Sequence, residues 1–253
     1  KQTFYANSND LDLVSSSINQ VFDRLDQMFV DFETHIESAE YDEAQSLLPT
    51  IGKVVNALES ALSQLPNLCI LVTNVVPEKI AILKKNYEEV ESLGLPLYNL
   101  AFSVRMGEWK NALEVLKKRL IKLELANIME SLDALQSQIE EVQDQLDNEQ
   151  ADKKYFEDNN QIIYNQVIEL EKVFLKICSL LPDIYKTYVV PEDKKEKVEE
   201  LKQTMNLLGT TKQSLDNYVH SSLKQPFSSL KNKLDELSAQ FIKAKEGIEE
   251  FKR

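Results

Sequence analysis

Glycine and proline are scarce, with five and seven copies in 253 residues. Sheet proteins turn often, and turns draw on Gly, Pro and Asn. The scarcity argues against a strand-rich fold and predicts a few long helices joined by short loops. The two cysteines, Cys69 and Cys178, are far apart in apolar, helix-like surroundings. That arrangement suits small buried hydrophobes in a reducing cytoplasm and does not suit a disulfide framework. No stretch of about 18 apolar residues offers a membrane span, and no charged-then-apolar leader opens the chain, so it reads as soluble. Positive charge is also short: 29 Lys and Arg stand against 42 Asp and Glu, giving a net charge of -13. An acidic surface repels phosphate backbones, which argues against nucleic acid as a partner. The basic clusters Lys117-Lys118-Arg119 and Lys194-Lys195 are diluted by Glu114, Glu124, Asp193 and Glu196, so binding to lipid headgroups is not expected.

What is plentiful is apolar periodicity. Leu11, Val14, Ile18, Val21, Leu25, Met28, Phe32 and Ile36 recur every three or four residues, the stripe of one long helix with Asp10 as its N-cap. The phase is lost over Ser38-Ala39-Glu40-Tyr41, which predicts a tight reversal with Asp42 capping the next helix. Ala44, Leu47, Ile51, Val54, Leu58, Ala61 and Leu65 then form a second stripe that can pack antiparallel on the first. Pro66 predicts a kink near Gln64, and Val75-Val76-Pro77 predicts a break. A shorter helix carrying Ile80, Leu83, Tyr87 and Val90 should follow and stop at Gly94. The next stripe, from Leu97, Leu100 and Val104 to Trp109, Leu113, Leu116, Leu120 and Leu123, stutters around Gly107, which predicts a bend there.

From Ile128 the positions Leu132, Leu135, Ile139, Val142 and Leu146 keep phase, as do Ile163, Val167, Leu170, Phe174, Ile177, Leu181 and Ile184. Steps of three and four bridge the two sets through Glu149, Lys153, Phe156 and Asn160. One helix of 57 residues, roughly 85 Å long, is therefore possible. Its middle carries polar residues on the core phase. Such a seam packs poorly, so the expectation is a solvent-exposed joint at Glu149, Lys153 and Asn160.

An internal repeat is visible at a separation of about 115 residues. Leu65-Pro66 recurs as Leu181-Pro182, Val75-Val76-Pro77 as Val189-Val190-Pro191, and Leu93-Gly94 as Leu208-Gly209, so each copy should have a helix kinked by proline, a Val-Val-Pro break and a short helix stopped by its glycine. A final stripe runs through Leu230, Leu234, Leu237, Phe241, Ala244, Ile248 and Phe251. The predicted fold is all-α, an elongated array of spectrin-like antiparallel helical bundles joined by long shared helices. The expected units are residues 1–125 and 126–253, with the shared helix at about 126–188.

Catalytic machinery is not evident. The two histidines, His35 and His220, are remote in sequence, and His35 lies near a helix end where a cation favours the dipole. Glu140-Glu141-Asp144 and Glu199-Glu200 fall on polar helix faces, where little would tune a carboxylate for acid–base work. The chain carries no glycine-rich phosphate loop, His-Glu-x-x-His, Cys-x-x-Cys or calcium loop, so no enzyme activity, metal or cofactor is expected. Trp109 beside Gly107 reads as packing, and Tyr185 and Tyr188 are open to packing or contact.

The opening Phe4-Tyr5-Ala6-Asn7, then "FETHIESAEYDEAQSLLPTI", "LSQLPNLCILVTNVVPEKIAILKKNYEEVESLGL" and "LELANIMESLDALQSQIEEVQDQLDNEQ", resemble the EzrA family of septation ring formation regulators. The turn with Tyr41 and Ala44, the Leu-Pro step, and the Val-Pro step followed by Lys84, Tyr87 and Gly94 occur in the family's order. The resemblance implies a cytoplasmic row of spectrin-like repeats held to the membrane by an N-terminal helix. It also implies binding to the tubulin-like protein FtsZ and other division proteins, with restraint of ring assembly away from midcell. This chain lacks that membrane helix, so the expectation is an internal piece of a longer protein. The resemblance assigns no FtsZ-contacting residue to any position here. A purely structural spacer, without a filament partner of its own, is the alternative.

Overall fold

The computed structural model describes residue 4 and residues 10–252; Tyr5, Ala6 and Asn7 of the opening motif lie outside the described residues. Every regular element among the described residues is helical. A 3-10 turn, Asp12–Val14, leads into α1, Ser15–Glu37, and α2 follows at Tyr41–Ile70. A π-helical segment, Leu71–Val75, joins α2 directly to α3, Val76–Ser92. After the 3-10 turn Tyr98–Leu100 come α4, Phe102–Ile121, α5, Ile128–Thr187, α6, Glu192–Val219, and α7, Phe227–Lys252.

These elements resolve into two compact units that interleave in sequence. The first takes the described residues up to Asn86 together with Ala101–Val142, and the second takes Tyr87–Leu100 with the described residues from Gln143 onward. In the first unit α1 and α2 pack along one another, and α4 packs on the Asp12–Val14 turn and the π segment. Ala44, Ile51, Leu58 and Leu65 of α2 are buried on the predicted stripe; in α1 Ile18 and Leu25 are buried as predicted, but Phe22 is buried in place of Val21, which is half-buried, and Ile36 is exposed. Ala39, at φ 60°, makes the reversal between them. In the second unit α5, α6 and α7 share a core of Phe156, Ile163, Val167 and Leu170 with Leu201, Met205, Leu208 and Leu215, and with Leu230, Leu234, Leu237 and Ala244. Each such leucine stabilises the unit by roughly 1.5–3 kcal/mol relative to exposure.

The long helix forms as the phase predicts and spans 60 residues. Val189-Val190-Pro191 does break the chain, with Pro191 standing at the N-cap of α6 and Glu192 and Asp193 placed favourably in its first turn. Gly94, at φ +77°, ends α3 in the left-handed conformation that glycine permits.

Several local expectations are corrected. Asp10 does not cap α1, whose N-cap is Val14, and Asp42 lies inside the first turn of α2 after Glu40 at the N-cap. Val75-Val76-Pro77 does not break the first repeat. Pro77 has no N–H and its ring crowds the carbonyl four residues back, and the chain accommodates this by widening the preceding turn, with the Val76 N–H donating to the Leu71 carbonyl. The stutter near Gly107 does not interrupt the helix, because α4 runs through that glycine. The interruption lies earlier, at Ala101 with φ 47°, which leaves Val104 exposed and starts a new stripe of Phe102, Met106, Trp109 and Leu113. Gly209 does not stop α6, because the buried set Leu208, Thr211 and Leu215 carries the helix past it.

The continuous stretch Tyr41–Ser92 contains an 18-residue window of mean hydropathy 1.3, apolar and long enough to cross a membrane by composition. Within the first unit, Leu65, Leu68, Cys69, Val72 and Val76 of that stretch are buried in the helical core.

Candidate functional site

The residues singled out for chemistry are taken up by helix ends and helix–helix contacts. His35 Nδ1 lies 2.6 Å from Glu40 Oε2 across the α1–α2 reversal, and His220 Nδ1 lies 2.9 Å from the Asp216 carbonyl oxygen at the end of α6. Lys79 Nζ donates to Gln136 Oε1 and Glu140 Oε1, both at 3.0 Å, tying α3 to α5 in the first unit. Glu199 pairs with Lys202 at 3.1 Å along one helix face. Trp109 is 1% exposed, meets Phe102 edge-on and donates from Nε1 to Gln138 Oε1 at 3.1 Å, so it is a packing residue. Tyr185 and Tyr188 are exposed. Among the described residues no three His, Cys, Asp or Glu side chains gather as a metal-holding group.

The polar crossing of α5 is not the exposed joint that its sequence suggests. Glu149 is 2% exposed, Phe156 is buried edge-on to Phe227, and Lys153 and Asn160 are half-buried. The first backbone N–H groups of any helix lack partners inside it. In α7 those of Phe227 and Ser228 donate to Glu149 Oε2 at 2.8 and 3.3 Å. Ser228 Oγ and Asn99 Nδ2 donate to Oε1 of the same carboxylate. A negative charge at a helix N-terminus is favoured by the dipole, so a carboxylate 78 residues upstream acts as the cap that α7 does not find locally. Period alone could not reveal this. The available signal was a glutamate on the core phase together with Pro226, which can begin a helix but brings no capping side chain.

Two further clusters fix how α5 meets its neighbours in the second unit. Tyr164 of α5 donates to Asp216 at 2.7–2.8 Å while Lys212, one turn earlier on α6, stands over its ring and pairs with Glu171 at 2.8 Å. Tyr155 repeats the device against α7, donating to Asp235 at 2.9 Å beneath Lys231. In each case a tyrosine sits between a lysine and an aspartate four residues apart on the partner helix, a spacing that only one register satisfies. Burial and the Asp216 hydrogen bond push the Tyr164 hydroxyl up to about 12. Burial also pushes the Cys69 thiol up to about 11, which keeps it in the unreactive protonated form.

The remaining surface is helical and carries exposed apolar side chains. These include Phe29, Val30, Leu48 and Val55 on the α1–α2 pair, and Ile162, Val173, Leu180 and Ile184 on one side of α5. A groove between α5 and α7 is lined by Glu169, Leu170, Val173, Phe241 and Lys245.

Fold and site together define an all-α protein of the spectrin-like, coiled-coil class, its polar groups used for helix capping and register. Over residues 1–253 it matches the family described as "Septation ring formation regulator, EzrA", and the chain belongs to that family. A septation ring formation regulator EzrA of Listeria innocua serovar 6a is 21% identical over 183 residues, covering 72% of this chain and 31% of the relative. One of Oceanobacillus iheyensis is 19% identical over 186 residues, covering 74% and 33%. The chain thus spans about a third of the length of the curated relatives it matches. No solved structure matches it significantly.

Proposed function

We propose that this chain is a cytoplasmic, spectrin-like part of a cell-division regulator that binds FtsZ and modulates the assembly and placement of the Z ring at the membrane. The observation that carries the reading is the family match over all 253 residues. The arrangement supports it physically, since a protein that acts by binding needs firm helices presenting side chains, and exposed apolar groups on α1, α2 and α5 supply such faces. Residues 1–125 and 126–253 serve as two spectrin-like repeats in this account, and the parent protein reaches the membrane through an N-terminal helix.

The test is made in dividing cells with the intact parent protein carrying a fluorescent tag. The expected result is enrichment at the division site and, on deletion, rings altered in number or position. Uniform membrane fluorescence with unaltered rings would overturn the proposal. A structural spacer without a filament partner is separated from it by direct binding to assembled FtsZ.

A further inference from the structure

We propose that Glu149 is a latch that makes two remote segments of the second unit, the α3–α4 connection and the start of α7, hold and release together. The segment Tyr87–Leu100, the last residues of α3 and the connection after them, belongs to the second unit although the residues on either side of it belong to the first. It enters that unit through buried Val90, Leu95, Leu97 and Leu100. Two of its polar contacts fall close together: Asn99 Nδ2 donates to Glu149 Oε1 at 3.4 Å, and the Tyr98 hydroxyl reaches Gln225 Oε1 at 3.5 Å, just before α7. On the other side of the same carboxylate stand the Phe227 and Ser228 amides and the Ser228 hydroxyl.

No lysine or arginine pairs with Glu149 among the described residues. Its charge is therefore held by dipoles alone, those of the α7 N-terminus, a serine and an asparagine. With one of these donors gone the carboxylate is under-solvated where it stands, so its side chain turns toward water and draws away from the remaining donors. Loss of the contact on one side must loosen the other.

Hydrogen exchange on the full chain tests the latch with Asn99→Ala and Glu149→Gln. The amide probes are Leu100, bonded to the Leu97 carbonyl, and Ser229 and Leu230, both bonded to the Pro226 carbonyl. Each variant is expected to speed exchange at both sets by about tenfold, the scale of a hydrogen bond to a charged group. Leu208 to Leu215 in the middle of α6 should be unchanged. If Asn99→Ala speeds Leu100 alone, or if either variant speeds the whole second unit uniformly, the latch is refuted. Should Glu149→Gln fail to fold, Asn99→Ala decides the matter: faster exchange at Ser229 and Leu230 supports the coupling, and unchanged exchange overturns it.

Discussion

Replacing Gly209 by alanine is expected to stabilise the second unit, whereas the same replacement at Gly94, its counterpart in the internal repeat, is expected to destabilise it. Gly209 lies inside α6, and a Cβ built there meets nothing within 4 Å. Alanine in a helix interior is better than glycine by about 0.8–1 kcal/mol, partly because the unfolded chain loses freedom. Gly94 also has open space around its Cβ position, yet its φ is +77°. An L-residue held in that region costs roughly 1–2 kcal/mol. The two variants should therefore differ by about 2–3 kcal/mol in opposite directions. Both positions belong to the second unit, so they report on the same transition. Thermal unfolding followed by circular dichroism should place Gly209→Ala about 3–5 °C above the parent chain and Gly94→Ala below it. A lower melting temperature for Gly209→Ala would mean that this glycine ends a helix as Gly94 does, and the reasoning about α6 would fall.

Three other expectations follow from single sites. Leu135→Ala, at a buried seam position of α5, should cost about 2–5 kcal/mol, while Glu140→Ala, which removes an exposed ion pair with Lys79, should cost under about 1 kcal/mol; denaturant unfolding of both compares them. A thiol reagent should modify half-buried Cys178 in the native chain well before Cys69, whose thiol is buried and pushed up to about 11; equal rates would contradict that burial. The folded state holds Tyr164 neutral, so the stability it contributes is complete below about pH 10 and is lost as pH rises toward 12. Tyr164→Phe should cost about 1 kcal/mol at neutral pH and then lose stability less steeply than the parent between pH 10 and 12, as alkaline denaturation curves would show.

The sequence disclosed the helices wherever one face is buried, because burial imposes the spacing of three and four. Ala44 to Leu65 and Leu132 to Val142 are buried in the phase their spacing predicts, and in α1 the buried face takes Phe22 in place of the neighbouring Val21. It misled where one residue admits two conformations. Pro77 can break a helix or sit after a widened turn, and which happens depends on whether burial of Val72 and Val76 before it and of Ile80 and Leu83 after it holds the helix on both sides. Gly209 can stop a helix or be carried through one, and the buried Leu208 and Leu215 decide it. The reversal at Ala39 and the helix start at Ala101 use left-handed residues that are not glycine, so composition gave no warning. Glu149 was misread for a different reason. Polarity on a seam signals exposure only when no partner can be found, and its partners are backbone amides 78 and 79 residues away. The family was legible from motif order, whereas capping and register across helices needed coordinates.

The central claim, that the chain acts by binding the division filament, is tested most directly by sedimentation. The purified chain is mixed with FtsZ assembled in the presence of GTP, and the pellet is compared with one from unassembled FtsZ and with the chain alone. The account predicts that the chain enters the pellet with the polymer, saturates as its concentration rises and stays in solution without it. A chain that remains in the supernatant at every concentration, while its helical content shows it folded, would contradict the claim.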